Sequence, residues 1–415
     1  MKQERNSTQH RTHLAKMLQA ALASVEGESA VAAWLQAHPL HGDLRLVAVG
    51  KAAQSMADGA LRVLGEQIVQ ALIISKSGHL DIAVCRQRGW EAIESAHPVP
   101  DANSLRAGER LLEFLAEADE RPLLFLISGG ASSLVEAPVD GVDLDFLART
   151  NRWLLGSGLD IVQMNWVRKG LSLIKGGGLL AHLGARQVHA LAISDVPGDT
   201  PSAIGSGLLV PEPQLSERLA QMALPDWLRE PLNAGLAQRQ SPPSQVPTVQ
   251  IVANLALAME AAARQARELG YEVYLQDEFL HGEAAETGRR LAALVCGGLP
   301  GVSIWGGETI VQLPPEPGQG GRNQHLALAA ACALSGNHAC YLLAAGTDGT
   351  DGPTEDAGAL VDAETITRGE TEGLDPQQAL ATADAGRFLE ASGDLITTGP
   401  TGTNVMDLVI GLKIA

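Results

Sequence analysis

Positive charge is scarce in this chain. Its 415 residues carry 30 Lys and Arg against 48 Asp and Glu, a formal net charge of −18. A protein that neutralises the phosphates of a polynucleotide needs a basic face, so nucleic acid is excluded as a partner. Any anionic substrate must then be captured by a few local cations, by backbone N–H groups or by a metal ion. Cysteine is scarce too. The four at positions 85, 296, 332 and 340 have neither C-x-x-C spacing nor the density of a disulfide-stapled module, and read as buried thiols in a reducing cytosol. No apolar run approaches the roughly 20 residues that span a bilayer, and the N-terminal stretch has no unbroken apolar core of the kind that directs secretion. The expectation is a cytoplasmic protein with no membrane partner. Sequence repeats and low-complexity tracts are absent as well.

What is present is 45% hydrophobic residues with 19% charged, enough to build real cores, over a length that predicts two or three domains. Short apolar runs end in glycine-containing turns and are followed by Ala/Leu-rich helical stretches: residues 44–50, 70–75, 121–130, 189–195, 301–307 and 340–349. Continuous apolar runs separated by helices are what parallel strands covered on both faces look like, so the class is α/β. The Pro/Ser-rich stretch at 240–247 continues neither a helix nor a central strand. It predicts a linker at about 241–247 between a larger Rossmann-like domain at 1–240, with a mostly parallel sheet, and a smaller α/β domain at 248–415. The end of the chain, with a Gly-Pro-Thr-Gly turn between two apolar runs, predicts a hairpin and hence a mixed second sheet.

Ligands of open α/β sheets bind outside the carboxyl ends of the strands, and here those ends are loaded. The first strand runs into Gly50-Lys51, a cation at a helix start where orphan N–H groups also favour an anion. A Walker A loop is excluded, since Arg45 and Ala52 stand where that motif needs Gly and Ser or Thr. The third run ends in Ser128-Gly129-Gly130-Ala131-Ser132-Ser133, small residues whose N–H groups can converge on phosphate. Asp195 ends another strand, placed to hold Mg²⁺, to take a proton from a hydroxyl, or to cap a helix. In the second half, Gly306-Gly307-Glu308 follows one strand, Gly320-Gly321-Arg322 opens a helix, and Thr347-Asp348-Gly349-Thr350-Asp351 forms an acidic loop without the spacing of a calcium-binding EF-hand. Gly176-Gly177-Gly178-Leu179-Leu180-Ala181 fits a dinucleotide fingerprint, but the segment before it does not read as a strand.

Taken in order, the motifs VAVGKAA, SAHPVPDANS, LISGGASS, NWVRKGLSLIKGGGLL, AISDVPGDTPSAIGSG, GGETIVQL, GQGGRNQHLALA, AAGTDGTDGPTEDAGA and TTGPTGTNVMDL resemble those of the glycerate 2-kinase family, whose C-terminal part is the MOFRL domain and some of whose members are called hydroxypyruvate reductase. The likeness runs from about residue 40 to the end. It implies phosphorylation of D-glycerate to 2-phosphoglycerate by ATP with Mg²⁺, in a cleft between two α/β domains. By the same resemblance Lys51 and Arg322 are the active-site cations, Asp195 an acidic site residue, and Ser128, Gly129 and Gly130 the phosphate-facing turn, while Gly50, Ser132, Gly306, Gly307, Glu308 and Thr347, read from their places at strand ends, are further candidates for nucleotide or phosphate binding. Asp348 and Asp351 are candidate metal ligands. Three positions depart from the family pattern: Ala131 replaces a glycine, Gly170 often a histidine, and His325 usually a glutamate. Competing readings are an NAD(P)H-dependent hydroxypyruvate reductase using the 176–181 loop and a non-catalytic sensor of phosphorylated metabolites. The expected partner is a small molecule, and a homo-oligomer is compatible with the sequence.

Overall fold

The computed structural model describes residues 2–117, 119–239 and 245–415. The chain forms two compact units, one comprising Gly27–Val252 and the other joining Met1–Glu26 to Ala253–Ala415.

The Gly27–Val252 unit is built on a six-stranded sheet. Its strands are β1 (Leu44–Val49), β2 (Ile68–Lys76), β3 (Glu91–Ser95), β4 (Leu123–Ile127), β5 (Val188–Ile193) and β6 (Val249–Ala253), in the spatial order β3-β2-β1-β4-β5-β6. The pairings from β3 through β5 are parallel. β1 and β4 are buried at every residue, as central strands covered on both faces must be. Between these two the order reverses: the chain winds outward from β1 through β2 to β3 and then returns to β4 on the other side. Connections leaving the carboxyl ends of β1 and β4 therefore diverge, and a crevice opens there. Two helices that border it start from explicit caps. Asp143 accepts the Phe146 N–H at the head of Leu144–Gly156, and Asp160 and Gln163 bond reciprocally at the head of Ile161–Gly170, each satisfying N–H groups that the helix leaves unpaired.

The second sheet contains β7 (Val273–Leu280), β8 (Gly301–Gly307), β9 (Cys340–Gly346), β10 (Gly358–Val361), β11 (Leu395–Ile396) and β12 (Asp407–Lys413), in the order β11-β10-β9-β12-β8-β7. It is mixed, as expected: β7 and β8 are parallel, while β12 runs antiparallel to both β8 and β9.

Two expectations are corrected, and one strand escaped the sequence reading. The predicted C-terminal hairpin does not form, because β11 pairs with β10 at the edge whereas β12 inserts between β8 and β9. Its apolar residues are buried on both sides there, which an edge hairpin would not achieve. β3 was not legible as a strand, since only Ile93 of Glu91–Ser95 is a large apolar residue and the strand lies at the sheet edge. The expected division, 1–240 and 248–415, is off at both ends, because the helix Lys2–Val25 belongs to the second unit and β6, beyond the expected linker, completes the first sheet. Most of the expected linker, residues 241–244, lies outside the described residues.

Apolar burial and ion pairs both seat that helix, whose Leu14, Met17, Ala21 and Val25 are fully buried. Arg11 reaches Asp362 at 2.5 Å and Asp394 at 2.8 Å and donates to the Leu360 carbonyl at 3.0 Å. Arg368 bonds the same two carboxylates. Burial alone would raise the Asp362 pKa, but the two guanidinium groups and a backbone N–H hold it below the usual range. Hydrogen bonds to charged groups contribute about 1.5–3 kcal/mol each, with Arg368 left to compensate part of the loss. Arg11→Ala is therefore expected to cost the second unit about 1–3 kcal/mol in urea denaturation. A loss indistinguishable from zero would mean that apolar packing alone seats the helix.

Candidate functional site

At the crevice, the turns after β1 and β4 are sewn together. Gly50 has φ +131, and a side chain there would meet Ser128 Oγ at 2.1 Å and the Ser128 backbone at 2.5 Å, so only glycine lets the two turns touch. The Lys51 N–H donates to the Gly129 carbonyl at 2.9 Å, and the Ala52 N–H to Ser128 Oγ at 3.0 Å. Ser75, at the end of β2, donates to the Gly50 carbonyl at 2.8 Å. Lys51 is thereby fixed by its backbone at the end of the central strand. A Cβ on Gly130, whose φ is +84, would lie 3.3 Å from Lys51 Cγ and 3.1 Å from His97 Cδ2. The lysine stem and the histidine ring therefore flank this turn.

Beside the turn lies a cavity of about 470 Å³ whose walls include His97, Gly130, Ser132, Glu136 and Asp195. Of the predicted site residues, the structure thus gathers Gly130, Ser132 and Asp195 around one space, with Gly50, Lys51, Ser128 and Gly129 in the adjoining turns. Ser132 Oγ lies 2.6 Å from Ser206 Oγ. Ser128 departs from its expected phosphate-binding role. It is fully buried and its hydroxyl accepts the Ala52 N–H, so it fastens the lysine loop.

Sequence reasoning missed the opposite wall. Thr150, Asn151, Arg168 and Lys175 also line the cavity. Lys175 is buried in an ion pair with Glu136, which also accepts a hydrogen bond from Ser172 Oγ at 2.5 Å. Arg168 donates to Asn151 Oδ1 at 3.2 Å and to Asn165 Oδ1 at 3.1 Å. With no charge opposite, burial pulls its pKa below the usual value. These residues sit on helices and a loop, not at strand ends, which is why the strand-end search passed over them. The available signal was the cluster of Arg168, Lys169 and Lys175 in a chain so poor in cations.

In the second unit the expected residues are arranged differently. Arg322 opens the helix Arg322–Leu334. Its Nε and Nη2 grip Asp407 at 2.6 and 3.0 Å, and its Nη1 reaches Glu308 at 2.6 Å. Burial alone would lower its pKa, but those carboxylates overcome this and hold the charge firmly. Glu308 is thus an ion-pair partner, and Asp407 belongs to the cluster although only its motif had drawn attention. Gly306 and Gly307 have a packing reason: side chains there would collide with Leu255 and with the Leu280 backbone, at 2.6 and 2.3 Å. The Thr347 hydroxyl, expected to face phosphate, is buried and donates to the Met406 carbonyl at 2.6 Å while accepting the Val405 N–H at 2.8 Å. Asp351 caps the arginine-bearing helix, accepting from Asn323 N at 3.1 Å and Gln324 N at 2.8 Å. Asp348 Oδ1 accepts from Thr350 N at 3.0 Å. A buried capping carboxylate does not suit an exchangeable metal. Among the described residues no three His, Cys, Asp or Glu side chains are grouped to hold one.

The 176–181 loop does not follow a strand. It comes after the helix Ile161–Gly170, and Gly176 and Gly177 donate to the carbonyls of Ser206 and Gly207, so the dinucleotide fingerprint lacks its structural context.

Fold and crevice together define an α/β protein with a cation-bearing, glycine-lined pocket at the strand-order reversal, a class that handles phosphorylated ligands. Comparison with known proteins narrows this. Residues 13–229 match a domain of unknown function, DUF4147, and residues 301–407 match the MOFRL family. A D-glycerate 2-kinase of Thermotoga maritima is 39% identical over 89% of this chain and 90% of its own. A putative hydroxypyruvate reductase of Agrobacterium vitis is 36% identical over 97% and 94%. The crystal structure of a glycerate kinase from T. maritima superposes with a TM-score of 0.82, at 36% identity, over 97% of this chain and 99% of that one. The chain belongs to the glycerate 2-kinase family, with its DUF4147 and MOFRL domains in that order.

Burial pushes the Asp351 carboxyl up to about 7 against the pull of the two helix N–H groups, with Asp407 adding to the rise and Arg322 opposing it. An unfolded aspartate titrates near 3.9, so between about pH 4 and 7 the folded state holds a proton that the unfolded state has released. The contribution to stability is then complete below about pH 4 and is lost as pH rises towards 7. Asp351→Asn is expected to flatten this part of the stability profile, measured by chemical denaturation from pH 4 to 7.5. An unchanged slope would assign the dependence to other groups.

Proposed function

We propose that the protein transfers the γ-phosphoryl group of ATP to the C2 hydroxyl of D-glycerate, giving ADP and 2-phosphoglycerate. The observation that supports this reading is a cavity at the strand-order reversal lined by Gly130, Ser132 and Asp195, with Lys51 bonded to Gly129 in the turn beside it, in a chain whose relatives include a D-glycerate 2-kinase and a glycerate kinase of known structure. Phosphoryl transfer asks a protein mainly for positioning and charge neutralisation, because charge is spread over the oxygens of a loose transition state. Lys51, fastened by its backbone to the facing turn, supplies a preorganised cation. Asp195 orients the acceptor hydroxyl and takes its proton as the oxygen bonds to phosphorus and the bond to ADP breaks. Magnesium would be held here mainly by the nucleotide's phosphates and water, since of the two carboxylates lining the cavity Glu136 is paired with Lys175 and Asp195 serves the acceptor hydroxyl. When bound, the ion neutralises the nucleotide's phosphates.

Arg322 enters the proposal in a revised form. Asp407 fixes its guanidinium from behind, while the Glu308 contact is half exposed, and exposed pairs contribute little. A phosphate oxygen is able to displace Glu308 from Nη1 without disturbing the Asp407 grip. The reductase alternative has no comparable support, because the loop it needs follows a helix.

Incubation with ATP, Mg²⁺ and D-glycerate is expected to yield ADP and 2-phosphoglycerate, identified by phosphorus NMR, with no oxidation of NADH or NADPH by hydroxypyruvate. Lys51→Ala is expected to lower kcat by about 10²–10³ without loss of the folded state, the scale for losing one preorganised charge-stabilising donor. Turnover near wild type at saturating substrates would remove Lys51 from the reaction.

A further inference from the structure

Arg168 stands out among the arginines. In a chain with 48 acidic side chains, no carboxylate among the described residues pairs with it. Its guanidinium is held by two neutral amide oxygens, Asn151 on one helix and Asn165 on its own. Those bonds engage Nε and one N–H of Nη1, and of the five N–H groups a guanidinium carries the remainder, both on Nη2 among them, make no hydrogen bond among the described residues. A planar donor edge fixed by flanking amides and left without a counter-charge is the arrangement that receives a carboxylate in two parallel hydrogen bonds.

A second observation on the same wall is independent of the first. Thr150 is 2% exposed and its hydroxyl has no hydrogen-bond partner in the structure. Leaving such a group unsatisfied costs about 1–3 kcal/mol, and the residue that carries it lines the same cavity as Arg168. The surrounding wall is apolar, formed by Leu147, Leu155 and Leu171. A cation fork, an orphan hydroxyl and a short apolar surface together match a small hydroxy acid: carboxylate on the fork, hydroxyl or carboxylate oxygen on Thr150, carbon chain on the leucines.

We propose that Arg168, oriented by Asn151 and Asn165 and assisted by Thr150, is the specificity-determining contact for the acceptor's carboxylate. This rests on the reading of the cavity as a glycerate site. Arg168 selects acids over their neutral counterparts, while Lys51 and the Gly130 turn serve the phosphoryl group. Glu136, a carboxylate on the same wall, is already neutralised by Lys175 and does not compete for the fork.

The test compares wild type with Arg168→Ala, Arg168→Lys and Thr150→Val, using D-glycerate and its neutral amide with ATP and Mg²⁺, alongside calorimetric titration of D-glycerate without nucleotide. Arg168→Ala is expected to raise KM for D-glycerate about 10–100-fold, the scale for a charge-assisted pair, with KM for ATP within about threefold. Preference for the acid over the amide should fall by the same factor, and Arg168→Lys should restore part of it. Thr150→Val should raise KM for D-glycerate about fivefold and reads the same subsite if the arginine variants fold poorly. Calorimetry should reproduce these ratios, so loss of binding in Arg168→Ala supports the proposal even if wild type binds D-glycerate and does not phosphorylate it, an outcome that removes only the kinase reading. Equal D-glycerate binding by wild type and Arg168→Ala, or a rise confined to KM for ATP, overturns it. Absence of any D-glycerate binding by wild type overturns both.

Discussion

The closeness of two turns, Gly50-Lys51 after β1 and Ser128-Gly129 after β4, is the constraint on which the first unit's site depends. Parallel neighbours whose connections diverge leave a crevice, but they do not by themselves place a cation in it. Here the backbone does so: the Lys51 N–H is bonded to the Gly129 carbonyl and the Ala52 N–H to the Ser128 hydroxyl. The absence of a side chain at Gly50 is what allows the approach. The lysine's backbone position is thus a property of the sheet.

The second unit uses the opposite tactic. Its cation, Arg322, is fixed through its side chain by Asp407, while Asp351 settles the helix that carries it. The local charge is already balanced, so a ligand must exchange with a carboxylate rather than fill a vacancy. One cation is preorganised by main-chain geometry and the other by an ion pair, and the second arrangement costs more desolvation while giving tighter orientation.

What was legible in the sequence follows from these physical differences. β1, β2, β4, β5, β8 and β9 are continuous apolar runs because both faces are covered, and such runs are visible without a structure. β3, at an edge and mostly polar, is not. The place of β12 was misjudged because an apolar strand after a turn looks the same whether it folds back on its predecessor or inserts elsewhere. Among candidate site residues, Lys51, Gly130 and Asp195 could be singled out because they lie where strands end. Ser128, Thr347 and Asp351 were given ligand roles since nothing in a sequence tells a hydroxyl or carboxylate that serves a ligand from one that serves backbone N–H groups. Arg168 and Thr150 were missed because their significance lies in partners they do not have.

The position of β12 carries a consequence for how the molecule is made. Residues 407–413 hydrogen-bond to β8 on one side and to β9 on the other, so until they leave the ribosome those two strands have no neighbour between them. The helix Lys2–Val25, whose Arg11 partners lie near residues 362 and 394, emerges first and must wait for them. The first unit has all its strands up to β5 long before that point and is free to consolidate alone. Biogenesis therefore proceeds from the middle of the chain outward, with both extremities captured last, and the exposed edges of β8 and β9 during that interval are where a chaperone would be of most use.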